Sequence, residues 1–150
     1  MQRSISHQNS LDSFLYFILF IGYESLCSIY LFLPPLFAVL FVLFIDALDN
    51  KKSVNFIFVL LSLIVYEASM GFSLFVSIIY FTILYKFVIP ILKKSINQIY
   101  MLKIVYVLLA YIGFFIFLKI LSTIFLLPPP EMSYYVFYYM VIEFFIVSLV

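Results

Sequence analysis

The chain has 150 residues, of which 67% are apolar and 10% charged, with a mean hydropathy of +1.27. Soluble domains hold about 45–50% apolar and about 25% charged residues, so this composition excludes a water-facing globular domain and leaves no room for a soluble catalytic or receptor unit. The net charge of +1 includes no basic tail and argues against nucleic acid as a partner, and one Cys and one His give neither an intramolecular disulfide nor a metal cluster.

Polar punctuation divides the chain into six apolar spans. They cover residues 12–28, 31–48, 54–70, 72–92, 98–127 and 132–150, within a single membrane domain over residues 1–150. The runs lack period-two alternation and exceed the ~9–11 residues of a barrel strand, so helices are the form that satisfies their backbone in lipid. The expected fold class is an all-α integral membrane protein, a polytopic bundle of about six helices.

The N-terminal stretch through Ser10 is polar, with Arg3 and a solvated His7, and no A-x-A-like cleavage site follows it. The first span carries Glu24 and Cys27, the latter read as a small packed hydrophobe. Pro34-Pro35 opens the second span. Asp46 and Asp49 precede Lys51-Lys52 and read as a solvated turn rather than a paired acid–base site. Gly71 alone separates spans three and four, so a five-helix arrangement stays open beside the tight hairpin that Glu67, Ser69 and Gly71 suggest. Pro90 lies where span four can stop at little cost. Lys103 and Lys119 are expected to snorkel toward opposite faces from the long fifth span. Pro128-Pro129-Pro130 then reads equally as a stiff ledge for a partner or as a simple helix stop.

Orientation follows from the basic residues. With six spans and an inside N-terminus, Arg3, Lys51, Lys52, Lys93 and Lys94 fall inside, and the outside connectors hold no Lys or Arg. Both termini are expected in the cytoplasm.

Intramembrane charges are costly and therefore the first functional suspects. They are Glu24, Glu67, Lys119 and Glu143. A proton or ion relay, or an acidic catalytic pair, is one reading. The preferred one is structural. Lys119 and Glu143 come to similar depth if spans five and six pack antiparallel, and are expected to form a buried ion pair. The chain has no H-E-x-x-H and no G-x-x-x-x-G-K-[ST]. It also lacks the asparagine–aspartate pairs of lipoprotein signal peptidases and the D-G-x-x-A-R pattern of phosphatidyl-alcohol transferases. A non-enzymatic role without cofactor or metal is the expectation.

One stretch carries a family resemblance. Pro35 is followed, near the family's spacing, by Glu67-Ala68-Ser69-Met70-Gly71-Phe72-Ser73-Leu74-Phe75. This resembles the Asp-x-x-x-Gly-x-x-Leu-Gly pattern of the rod shape-determining protein MreD family. Glu67 takes the aspartate position, Gly71 the first glycine and Leu74 the leucine. Phe75 replaces the second glycine, and Phe56, Phe58 and Tyr66 occupy a region where the family has glycines. The resemblance implies a scaffold subunit of the bacterial inner membrane that serves cell elongation and peptidoglycan synthesis. Its implied partners are membrane lipid, an MreC-like bitopic protein and other proteins of that complex, with Pro35, Glu67, Gly71 and Leu74 as the binding or structural residues. The alternative is the substrate-binding membrane subunit of an energy-coupling-factor type vitamin or metal importer.

Overall fold

The computed structural model describes residues 2–150, with side-chain surroundings from residue 11 onward. The side chains of Arg3 and His7 lie outside the described residues.

All regular structure among the described residues is helical. The helices are α1 (Gln2–Ile29), α2 (Phe37–Asp49), α3 (Ser53–Met70), α4 (Val76–Ser95), α5 (Ile99–Phe125) and α6 (Tyr135–Leu149). Four segments are long and apolar enough to cross a bilayer: Leu11–Ile29, Ser53–Met70, Val76–Ser95 and Ile99–Phe125. The six-helix arrangement replaces the five-helix one, because residues 71–75 form a true connector rather than a continuous turn of helix.

The second span differs most from expectation. Residues 31–36 are not helical, and Pro35 lies two residues before α2 instead of opening it. Proline disfavours the helical conformation of the residue before it, so consecutive prolines hold this stretch out of the helix. What remains is 13 residues, roughly 20 Å at ~1.5 Å per residue, well short of a ~30 Å hydrocarbon core. α6 is also short, at 15 residues. Pro90 is a second difference, since α4 continues through it to Ser95. A π-turn at Leu84–Val88 precedes the proline, and Ile89 N–H reaches back to the Leu84 carbonyl. This wider turn relieves the clash that a proline ring makes with the preceding turn.

The short α2 is the centre of the bundle and packs against α3, α5 and α6, while α1 lies mainly on α3. Phe37, Phe41 and Phe44 recur at helical spacing and are fully buried. The Phe37 ring lies 4.7 Å from Tyr66, 4.8 Å from Phe114 and 5.0 Å from Phe81, centroid to centroid. Large aromatic rings supply the packing between these apolar helices, each close pair adding about 0.5–1.5 kcal/mol beyond area. Several serine and threonine hydroxyls are satisfied inside their own helices, as when Ser62 and Thr82 donate to the Phe58 and Ile78 carbonyls.

The connectors sort to two ends. Residues 50–52 and 96–98 lie at one end with Lys51, Lys52, Lys93 and Lys94. There Lys52 pairs with Asp46 at 3.3 Å and Lys93 with Asp49 at 2.5 Å. Lys103 donates to the Ser148 carbonyl at the end of α6. Residues 30–36, 71–75 and 126–134 form the opposite end, which has no Lys or Arg. Phe114 stands midway along α5 and touches Phe37, so α2 begins level with the middle of α5, and it also touches Phe72 in the connector before α4. The start of α2 is therefore sunk inside the bundle, and Ser77 in the first turn of α4 is fully buried as well.

Candidate functional site

A helix start leaves its first N–H groups without intrahelical partners, and inside an apolar bundle water does not supply them. α2 begins after Leu36, whose φ of 57° is left-handed, and has no side-chain cap from its own N-cap residue. Its orphan donors are met from α6. Glu143 accepts hydrogen bonds from Phe37 N at 3.2 Å, Ala38 N at 2.7 Å and Val39 N at 3.3 Å. Tyr111 donates a fourth through its hydroxyl. The partial positive charge of the helix start offsets the carboxylate. Glu143 reaches this place because Met140, Glu143 and Val147 form the buried face of α6.

Tyr111 is aimed by a second π-turn, Leu109–Gly113 in α5. At the start of this turn the Leu109 carbonyl accepts from the Tyr80 hydroxyl at 2.7 Å. Gly113 makes room for that contact, since a Cβ there would lie 2.1 Å from the Tyr80 oxygen. The non-helical residues ahead of α2 are tied down as well. Tyr23 donates to the Pro34 carbonyl at 2.7 Å, the Cys27 thiol lies 3.6 Å from the same oxygen, and Tyr139 donates to the Leu31 carbonyl.

The start of α4 repeats the device with a local acid. Phe75, with φ 70°, precedes the helix and lacks a side-chain cap of its own. Glu67 accepts from Phe75 N at 2.7 Å and from Ser77 N at 2.5 Å. The same residue ends α3. The Glu67 carbonyl accepts from Phe72 N at 3.0 Å, while Gly71 turns the chain at φ 72°. This is a Schellman closure, and glycine takes its left-handed position without Cβ strain. One glutamate thus closes the helix it ends and starts the next.

The structure separates the sequence-predicted residues into distinct roles. Glu67 and Gly71 build the connector, Leu74 is left exposed on it, and Pro35 is buried in the connector before α2. The expected Lys119–Glu143 ion pair is not formed. Glu143 spends its oxygens on α2 and Tyr111, and Lys119 points to the exposed face of α5. Glu67 is fully buried. Glu24 is buried on α1, near enough to Glu143 for their charges to interact, and neither of its oxygens has a hydrogen-bond partner among the described residues. Tyr66 lies within electrostatic reach of all three glutamates. Tyr111, Tyr80 and Gly113 escaped sequence reasoning, and only the rarity of glycine in the chain marks the place. Asp46 and Asp49 bind different lysines and do not act as a carboxylate pair.

The chain matches no protein-family model, no curated protein and no solved structure.

Proposed function

We propose that this chain is a multi-pass protein of the bacterial cytoplasmic membrane and a non-enzymatic scaffold of the cell-elongation machinery, as its likeness to MreD implies. The observation that carries the reading is the division of labour in the stretch from Glu67 to Phe75. Its acid and glycine are consumed in building a rigid connector, while Leu74 and Phe75 remain 55% and 52% exposed on it. An apolar side chain held exposed on a rigid turn suits contact with the membrane helix of a bitopic partner of the MreC kind. Both charged groups at the helix starts serve the architecture, which favours a binding role over chemistry. The lysine-rich end faces the cytoplasm by the positive-inside rule, with both termini on that side.

Two experiments test this. Leu74→Gln is expected to leave the protein inserted and to lower co-purification with an MreC-like partner by about fivefold or more, the ~1 kcal/mol that marks a contributing interface residue. Unchanged recovery, or saturable vitamin binding by the purified chain, would favour the importer-subunit reading instead. Alkaline phosphatase fused after Glu131 is expected to be active and after Lys94 inactive. The reverse pattern would overturn the orientation.

A further inference from the structure

We propose that the cleft between α2, α3 and α4 at the lysine-rich end binds one anionic phospholipid. The proposal rests on the reading of the chain as a membrane protein. The cleft has a volume of about 620 Å³. Phe44 and Leu48 of α2 and Phe56 of α3 give it apolar walls, and Lys86 and Lys93 of α4 both line it.

The charges are unequal. The Lys93 ammonium lies 2.5 Å from Asp49, and the Tyr85 hydroxyl donates to the other oxygen of Asp49 at 3.0 Å. Lys86 has no carboxylate partner among the described residues, and its ammonium lies 5.9 Å from the centroid of the Phe87 ring. Two lysines and one aspartate thus line the cleft, and the exposed Lys86 leaves a single positive charge without a counter-charge beside its apolar walls. Lys86 also stands nine residues before the end of α4, roughly 13 Å at ~1.5 Å per residue. An ammonium at that depth needs either water or a counter-charge.

A phospholipid answers both halves of this environment. Its phosphate neutralises Lys86, whose exposed side chain is long enough to reach from that depth toward the Lys93 end of the cleft, and an acyl chain lies along Phe44, Leu48 and Phe56. A zwitterionic headgroup carries its own cation, which competes with Lys86, so an anionic headgroup is selected. Inorganic phosphate leaves the apolar walls uncovered, so a lipid is preferred to a soluble anion.

Native mass spectrometry of the full chain in detergent tests the site, with phosphatidylglycerol and phosphatidylcholine as probes. The expected result is one saturable phosphatidylglycerol adduct, held at least about fivefold more tightly than phosphatidylcholine. Lys86→Gln is expected to weaken it about fivefold, the ~1 kcal/mol a basic residue contributes beside anionic lipid. Lys86→Arg is expected to retain it, and Lys94→Gln, outside the cleft, to leave it unchanged. Equal binding of the two lipids, an unaffected Lys86→Gln variant, or displacement of the lipid by equimolar inorganic phosphate would overturn the proposal. Extraction of the wild-type chain from membranes by alkaline carbonate would instead overturn the membrane reading beneath it.

Discussion

The starts of α2 and α4 solve one problem in two ways. Each follows a residue in the left-handed region, Leu36 or Phe75, and each lacks a cap from that residue. A buried carboxylate meets the orphan amides in both. For α4 the acid comes from 8 and 10 residues earlier in the chain, and for α2 from 104 to 106 residues later. A local cap closes as soon as α3 and α4 form a hairpin. The distant cap closes only after α6 has docked, so the start of the central helix depends on completion of the bundle. A helix of 13 residues is marginal on its own propensity, which makes that dependence strong.

The largest expected effect comes from breaking the distant cap. Glu143→Leu leaves three backbone N–H groups and the Tyr111 hydroxyl without an acceptor. Removing one partner of a buried charged network typically costs about 3–5 kcal/mol, to be read as loss of folded yield and of the unfolding midpoint in detergent. Glu143→Gln is expected to lose less, because the amide oxygen still accepts. Glu67→Ala comes next, at about 3 kcal/mol for two hydrogen bonds to a charged group, each at the lower end of the ~1.5–3 kcal/mol range, and its damage should stay within the α3–α4 connector. Gly113→Ala tests the support of Tyr111 and is expected to cost about 1–3 kcal/mol by overpacking against Tyr80. Adding Tyr80→Phe to it should restore part of the loss. The smallest effects belong to Glu24→Leu and Lys119→Met. The Glu24 carboxyl has no hydrogen-bond partner among the described residues, and Lys119 is exposed and unpaired with Glu143. Both variants should unfold like wild type or, for Glu24→Leu, slightly later. A loss from either as large as that of Glu143→Leu would mean that the interior charges are wired differently.

The same contrast explains what was legible in the sequence. Composition announced the helical class, and the spacing of Glu67 and Gly71 announced the α3–α4 turn, because both ends of that device lie within one short stretch. The antiparallel course of α5 and α6 was legible, but the level and rotation of their charges were not, since Glu143 meets Tyr111, eight residues before Lys119. A soluble helix shows its buried face through polar residues on the other side. α6 is apolar all round, so nothing in its pattern says that Glu143 shares a face with Met140 and Val147. The helix ends teach the same lesson. Gly71 signals a left-handed turn, yet Lys51 and Leu126 adopt φ of 51° and 54° at the ends of α2 and α5 without glycine. The amides of the residues that follow them still close the same way, Lys52 N onto Ala47 O and Leu127 N onto Ser122 O. The π-turn at Leu84–Val88 had a sign in Pro90, whereas that at Leu109–Gly113 is set by the fit of Tyr80 against Gly113, a contact across 33 residues.

Hydrogen exchange at individual amides of Glu143→Gln, Glu143→Leu and Glu67→Ala, compared with wild type in detergent, tests the central claim most directly. Protection reports local opening residue by residue. The two-cap account predicts that Glu143→Leu releases the amides of Phe37, Ala38 and Val39 and spares Ser77, with Glu143→Gln intermediate. Glu67→Ala should do the converse, releasing Phe75 and Ser77 while Phe37 to Val39 stay protected. Unchanged protection of Phe37, Ala38 and Val39 in Glu143→Leu would contradict the account.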